Sequence, residues 1–257
     1  MITKEQLKEI SKKKKINEYA ILREYLQLWF LSELYKEKFS ENIFFKGGTA
    51  IHIVYGMDRF SEDLDFSVSD ELTKFNKNIS GFLKKLSKIE NIDFKERKSI
   101  LGKKFVLILN DKIIENKVFI ELDFSFREKI FKPESSIIKT DYPVIFTSFI
   151  NHLSKEELFA EKIRALLTRE KGRDLYDLWF LLNKGTDLDL NLINKKISYY
   201  KKRVDFNEII KAISKFDKKE FVKDLRPFVA INTRNDLEKI FDYIKAYLIK
   251  TFKELTR

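Results

Sequence analysis

Two aspartates on a short apolar run are the strongest chemical signal in the chain. Asp63 and Asp65 alternate with Leu64 and Phe66 in the pattern of a strand. Side chains two residues apart on a strand point to the same face, so the two carboxylates would project together. They would repel each other unless a cation lies between them. Mg²⁺ suits such a pair, because it binds a few carboxylates and completes its shell with waters and substrate phosphates. A solvated strand edge is the plainer alternative.

A glycine pair upstream of the aspartates has the form of a phosphate-binding turn. Gly47 and Gly48 follow an apolar run at 43–45 and precede Thr49, which could cap a short helix ending at Gly56. Glycines before a helix let a phosphate approach the backbone and the positive helix end. The pair alone fits a tight turn equally well. The order and spacing of the glycines and the aspartates together are far more specific.

A third carboxylate is expected on the clearest strand of the sequence, residues 117–126. Apolar residues alternate there with Glu121 and Asp123, which share one face. A site for two metal ions needs such a further acid. Either Glu121 or Asp123 could supply it, and a sheet with a wet polar face would explain both residues without metal.

Composition favours a polyanionic partner and excludes several kinds of chemistry. Lys and Arg number 51 against 40 Asp and Glu, a net charge of +11, although a Lys-rich composition with interleaved acids has the same charge. The absence of cysteine excludes disulfides, zinc–thiolate sites and thiol catalysis. Lacking a signal-like start and an apolar run of about 18 residues, the chain is expected to be cytoplasmic with no membrane contact.

The order of predicted elements indicates an α+β protein with a small mixed sheet. Periodicity predicts helices at 4–38 and 70–90 and a helical pattern from Ser154 onward, where Ser154 and Glu157 form a capping-box pattern. The predicted strands are 64–68, 92–97, 104–109, 117–126 and 142–147. We therefore expect an α+β domain over 1–150 and a helical domain over 151–257.

Four segments together resemble the AbiEii toxin family of nucleotidyltransferases, which belongs to the DNA polymerase β-like superfamily and includes the MenT toxins. The glycine block at 47–50 and the aspartate block at 59–66 match the superfamily signature. The blocks at 158–165 and 173–178 match the toxin family itself. The resemblance implies a polymerase β-like core followed by a C-terminal helical bundle. The family has another aspartate beyond Leu178, and the matching region 182–185 lacks it.

The resemblance also assigns roles to residues. It implies that the metal ligands are Asp63, Asp65 and Asp123, that Lys162 and Asp174 join them as catalytic residues, and that the nucleotide contacts Gly47, Gly48, Thr49, Ser61 and Lys162. It further implies two Mg²⁺ ions, a nucleoside triphosphate (NTP) as substrate, and a cognate antitoxin. Each of three residues also has a plainer interpretation. Lys162 could be a solvated helix lysine, Asp174 could be a helix cap, and Ser61 could be a hydroxyl that only bonds a turn.

The activity that the resemblance implies is transfer of a nucleoside monophosphate onto the 3′ end of tRNA, with release of pyrophosphate. A relative that binds nucleotide or RNA without chemistry is one alternative, and transfer to a small molecule or protein is another. The clustered acids argue against the first alternative, because a protein that only binds an anionic ligand has no need for carboxylates beside it. The basic stretch 195–203 contains Tyr199 and Tyr200 among cations, which suits RNA stacking as well as a charged helix surface. We expect tRNA to be held partly by cations of 162–203.

Overall fold

The computed structural model describes residues 1–89, 91–99, 102–110, 117–169, 171–200 and 202–255. The chain forms two compact units: the first comprises Met1–Gly56 and Phe60–Leu153, and the second comprises Met57–Arg59 and Ser154–Arg257. In the described parts, no helix combines the length and the apolar character that a membrane span needs.

The N-terminal region of the first unit holds two helices where the periodicity predicts one. The helix α1 (Lys4–Lys14) ends at Lys15, whose φ of 53° is left-handed. The helix α2 (Glu18–Leu34) begins after Asn17, whose side chain accepts the N–H of Ala20. The single helix expected over 4–38 is therefore wrong, because an N-cap residue restarts the helix without interrupting its apolar spacing.

The other two helices of this unit lie close to their expected positions. Helix α3 (Gly47–Tyr55) begins at the first glycine rather than after Thr49, and Gly56 ends it with a φ of 76°. Helix α4 (Leu72–Ile89) occupies the segment expected to be helical over 70–90.

Seven strands of the described residues form one mixed sheet, which confirms the α+β class but exceeds the small sheet expected. The strands are β1 (Ile43–Lys46), β2 (Leu64–Val68), β3 (Ile92–Arg97), β4 (Gly102–Asn110), β5 (Lys117–Ser125), β6 (Pro133–Ser136) and β7 (Ile150–Leu153). Their order is β3-β4-β5-β2-β1-β7-β6. The β2–β5 and β1–β7 pairs are parallel, and the remaining pairs are antiparallel.

The strand expected at 142–147 is wrong, because this segment lies between β6 and β7 and pairs with neither. Pro143 has no N–H to donate to a strand partner. Tyr142 is held by a side-chain interaction, since its hydroxyl donates to Glu24 at 2.9 Å. The apolar alternation of this segment therefore reflects packing of a loop.

One face of the sheet is apolar and is covered by α2 and α4. Phe66 of β2 and Phe124 of β5 stack with ring centroids 4.7 Å apart, and Phe75 of α4 lies 5.0 Å from Phe124. Phe30 of α2 contacts Phe82 of α4 at 5.8 Å. Because side chains alternate along strands, the polar residues between these phenylalanines lie on the opposite face of the sheet.

The second unit is helical over its described length. Its helices are α5 (Lys155–Thr168), α6 (Gly172–Asn183), α7 (Leu190–Ser198), α8 (Phe206–Lys215), α9 (Lys218–Leu225) and α10 (Leu237–Glu254). The Ser154 hydroxyl accepts the N–H of Glu157, which is one of the two hydrogen bonds of the predicted capping box. The carboxylate of Glu157 pairs with fully buried Lys196, with 2.6 Å between Oε1 and Nζ.

A buried ion cluster joins α5, α6 and the segment Met57–Arg59 within the second unit. The guanidinium of Arg59 donates twice to Asp177, each time at 2.6 Å. Lys162 Nζ lies 2.7 Å from Asp177 Oδ2 and 3.0 Å from Asp174 Oδ1. Arg169 Nε donates to the other oxygen of Asp174, Oδ2, at 3.0 Å. Burial disfavours these charges, so their mutual pairing is what makes the cluster tolerable.

We predict that Asp177→Ala destabilises the protein by about 3–5 kcal/mol, because it leaves two buried cations short of a partner. Asp242 pairs with Lys218 at 2.7 Å on the surface, so Asp242→Ala is the matched control and should cost less than about 1 kcal/mol. Urea denaturation measures both free energies of unfolding. Equal losses in the two variants would contradict the claim that Asp177 neutralises buried cations that otherwise lack a partner.

Candidate active site

The register of two parallel strands brings the predicted carboxylates together. Asp65 of β2 lies directly opposite Asp123 of β5, and opposite residues in neighbouring strands share a face. Asp63 immediately precedes β2, and Glu121 lies two residues before Asp123 on the same face. This group of four acids is called the carboxylate face below.

A lysine borders the carboxylate face on each side. In the antiparallel pair β4–β5, Lys104 lies opposite Asp123, and in β1–β2, Lys46 lies opposite Asp65. Lys104 Nζ is 2.8 Å from Asp123 Oδ2 and 2.9 Å from Glu121 Oε1. Sequence reasoning missed Lys104, because its position opposite Asp123 depends on the register of a hairpin whose connecting residues carry no clear turn signal.

The acids raise the proton affinity of Asp63. Partial withdrawal from water, followed by the negative charges of Asp65, Glu121 and Glu62, raises the pKa of Asp63 from 3.8 to about 6, against the opposing charge of Arg23. Burial causes the largest part of this rise in pKa, and the three neighbouring acids, which add to it, place Asp63 in a negative field. The carboxylate face therefore has the electrostatics of a cation site.

Helix α2 holds the segment that leads into Asp63. The side-chain amide of Gln27 donates to the carbonyls of Ser61 and Glu62 at 3.1 and 2.8 Å. Arg23 donates to the Glu62 carboxylate at 2.5 Å. Gln27 is buried, although its polar character alone would place it on a solvated helix face. Its buried amide fixes the backbone at Ser61, one of the residues predicted to contact nucleotide.

Helix α3 approaches the carboxylates from the glycine turn. Gly47 has a φ of 78°, a conformation that strains other residues, and a Cβ at this position would force the Asp65 carboxylate to move. The hydroxyl of Thr49 donates to the carbonyl of Asp63. Lys46 gives the start of α3 no side-chain cap. The N–H groups at Gly47 and Gly48 thus begin a helix beside the carboxylates, the arrangement that favours a phosphate.

Whether these residues fit Mg²⁺ can be judged from the donors alone. In the described ranges, no group of three or more acidic, histidine or cysteine side chains has the spacing of a metal site. Mg²⁺ commonly binds through one or two carboxylates plus substrate phosphates and waters. The adjacent hard oxygen donors of Asp65 and Asp123, with the raised pKa of Asp63, fit that requirement.

The remaining predicted residues lie in the second unit. Lys162 and Asp174 belong to the buried ion cluster. Burial lowers the pKa of Lys162, but the charges of Asp177 and Asp174 outweigh this effect, so the pKa is raised overall. Their catalytic roles stay predictions. In the basic stretch, Lys202 and Arg203 are exposed, whereas Lys201 lies outside the described residues.

Comparison with known proteins decides the family. The model of a family described as the nucleotidyl transferase AbiEii toxin of type IV toxin–antitoxin systems matches residues 29–251. The chain belongs to the AbiEii family. An uncharacterized protein of Aquifex aeolicus (strain VF5) is 28% identical over 189 residues, which cover 73% of this chain and 81% of that protein.

Two solved structures share the fold of this AbiEii chain. MenT4, a nucleotidyltransferase toxin of Mycobacterium tuberculosis H37Rv, superposes with a TM-score of 0.65 at 16% identity, covering 96% of this chain and 90% of MenT4. JHP933 of Helicobacter pylori superposes with a TM-score of 0.62 at 21% identity, covering 94% and 96%. At these identities the likeness establishes the fold alone.

Glycine at position 47 should matter for chemistry more than for stability in this AbiEii chain. Gly47→Ala and Gly56→Ala both place a side chain at positive φ, but only the first meets another atom, since the space around Gly56 is open. Each variant should lose about 1–2 kcal/mol of stability. Only Gly47→Ala should also slow nucleotidyl transfer, by about 100-fold, because it displaces Asp65. Equal transfer rates would refute the close approach of α3 to Asp65.

The raised pKa of Asp63 gives a pH dependence with a definite sign. The folded protein binds this proton more tightly than the unfolded chain, so ionisation of Asp63 lowers stability as pH rises from about 4 to about 6. Asp63→Asn should therefore stabilise the metal-free protein at pH 7.5, by about 1 kcal/mol or less, because solvent still reaches the partly withdrawn Asp63 and screens its charge. Thermal unfolding across pH 4 to 8 tests this, and a variant less stable than wild type at pH 7.5 would contradict it.

Proposed function

We propose that this AbiEii-family protein is a Mg²⁺-dependent nucleotidyltransferase toxin that transfers a nucleoside monophosphate from an NTP to the 3′ end of tRNA. The observation that carries the proposal is the pairing of Asp65 with Asp123 in register, directly beside the glycine start of α3. Carboxylates and a phosphate-binding helix start are what an enzyme of NTP chemistry must bring together.

In this proposal, residues of the first unit bind the metal ions and the triphosphate. Asp63, Asp65 and Asp123 would hold two Mg²⁺ ions, which, when bound, supply the positive charge that the triphosphate requires. Gly47 and Gly48 would place the phosphates against the start of α3, with Thr49 and Ser61 at its edge. The 3′ hydroxyl oxygen of the acceptor bonds to the α-phosphorus, the bond from that phosphorus to pyrophosphate breaks, and the hydroxyl proton passes to solvent.

For Lys162 and Asp174, the family resemblance supports a catalytic role. The structure adds that Lys162 is charged and fixed, because two aspartates hold its ammonium within hydrogen-bonding distance. A lysine whose position is set in advance loses little freedom when it acts on an anion. Its contribution would be electrostatic, by offsetting triphosphate charge.

The family supports the rest of the assignment. A toxin of a toxin–antitoxin system implies a cognate antitoxin as partner. The net charge of +11 supports tRNA as the acceptor, and a tRNA acceptor implies action in the cytoplasm. Exposed Lys202 and Arg203 remain candidates for contact with tRNA phosphates.

The test incubates the protein with Mg²⁺, total RNA and each of the four labelled NTPs in turn. We expect label on tRNA with at least one NTP. Asp65→Asn should reduce transfer at least about 100-fold, because it removes a ligand of the Mg²⁺ ions that would stabilise the charge developing in the reaction. Asp93→Asn, on edge strand β3 of the same sheet, is the matched control and should transfer normally.

Each other outcome has a definite meaning. Label on a small molecule or protein would keep the transferase and replace tRNA as the acceptor. No label on any acceptor, or full transfer by Asp65→Asn, would contradict the assignment and favour a protein that binds nucleotide or RNA without chemistry.

A further inference from the structure

A lysine ammonium occupies the side of the carboxylate face where the third carboxylate lies. Lys104 Nζ contacts both candidates for that role, Asp123 at 2.8 Å and Glu121 at 2.9 Å. The three side chains are each about one-third exposed, so the contact is reachable from solvent. Whichever acid is the third carboxylate, the same lysine holds it.

A metal ion and this ammonium cannot both use Asp123 freely. Mg²⁺ binds oxygen at about 2.0–2.1 Å, and a carboxylate oxygen already accepting a charged hydrogen bond is a poorer ligand. A divalent ion at Asp65 and Asp123 would also stand within a few ångströms of a like charge, and such charges repel strongly at a partly desolvated site. Binding of metal at Asp123 therefore opposes binding of Lys104.

Deprotonation does not remove this competitor. Burial lowers the pKa of Lys104, but the hydrogen bonds and charges of Asp123 and Glu121 outweigh it, and the net pKa is raised. Lys104 is thus charged throughout the physiological range. The four-carbon stem of a lysine is flexible, so the ammonium leaves Asp123 by rotating away.

We propose that Lys104 is a built-in counter-ion of the carboxylate face, which holds Asp123 and Glu121 in the metal-free protein and competes with a divalent cation for Asp123. It is a positioning residue that sets metal affinity. The inference rests on the metal site of the proposed function, since without such a site Lys104 is only a surface ion pair.

The test measures Mn²⁺ binding by electron paramagnetic resonance of the free ion, with the whole protein and no nucleotide. Lys104→Met should bind Mn²⁺ up to about fivefold more tightly, because the partly exposed ion pair with Asp123 no longer competes. Lys103→Met is the matched control. It lies on the same strand and the opposite face, with its own partner Glu96 at 2.5 Å, and its affinity should stay within about twofold of wild type. Lys104→Arg should bind like wild type.

Two further variants make the result decisive. In the Asp123→Asn background, Lys104→Met should give no gain in affinity over Asp123→Asn alone, because the competition is for that carboxylate. Lys104→Gln, which keeps a donor to both acids but no charge, replaces Lys104→Met if the latter does not fold. Its affinity should also rise.

The inference and the proposed function fail in different ways. If Asp65→Asn abolishes Mn²⁺ binding but neither uncharged variant at position 104 binds more tightly than wild type, the role of Lys104 is refuted and the metal site stands. If Asp65→Asn leaves Mn²⁺ binding unchanged, the metal site itself is wrong and the inference falls with it.

Discussion

The repulsion between Asp65 and Asp123 is the constraint around which the first unit is arranged. Two carboxylates opposite each other in adjacent strands oppose sheet formation, yet β2 and β5 pair in parallel over four residues. The apolar face supplies the compensation, since Phe66 and Phe124 stack directly behind the acids. Lysines at the same level of the two flanking strands offset part of the charge.

Stability and chemistry are separated by the two faces of the sheet. The covered face carries the aromatic core, whereas the open face keeps Asp63 in a setting that disfavours its ionised form. Such local instability is typical of functional sites. It persists because the packing of the surrounding residues stabilises the fold by more than the site destabilises it. Gln27 and Thr49 tie the loop before Asp63 to two helices, so the acids are held in place against their repulsion.

Local signals were enough to predict much of this arrangement. The alternation at 64–68 and 117–126 identified the two strands, and the spacing of Asp63 and Asp65 identified the shared face. What could not be predicted depends on contacts distant in sequence. Lys104 meets Asp123 through a hairpin register, and Arg59 pairs with Asp177, 118 positions away. The strand expected at 142–147 failed because alternation does not reveal whether a partner strand exists.

The central claim is that β2 and β5 together build the site that would hold the two Mg²⁺ ions. Crystals of the protein grown with Mn²⁺, and measured on both sides of the manganese absorption edge, test it most directly. The account predicts an anomalous peak within ligand distance of both Asp65 and Asp123, with Lys104 turned away from Asp123. A peak bound elsewhere, or none at a Mn²⁺ concentration that supports transfer, would contradict it.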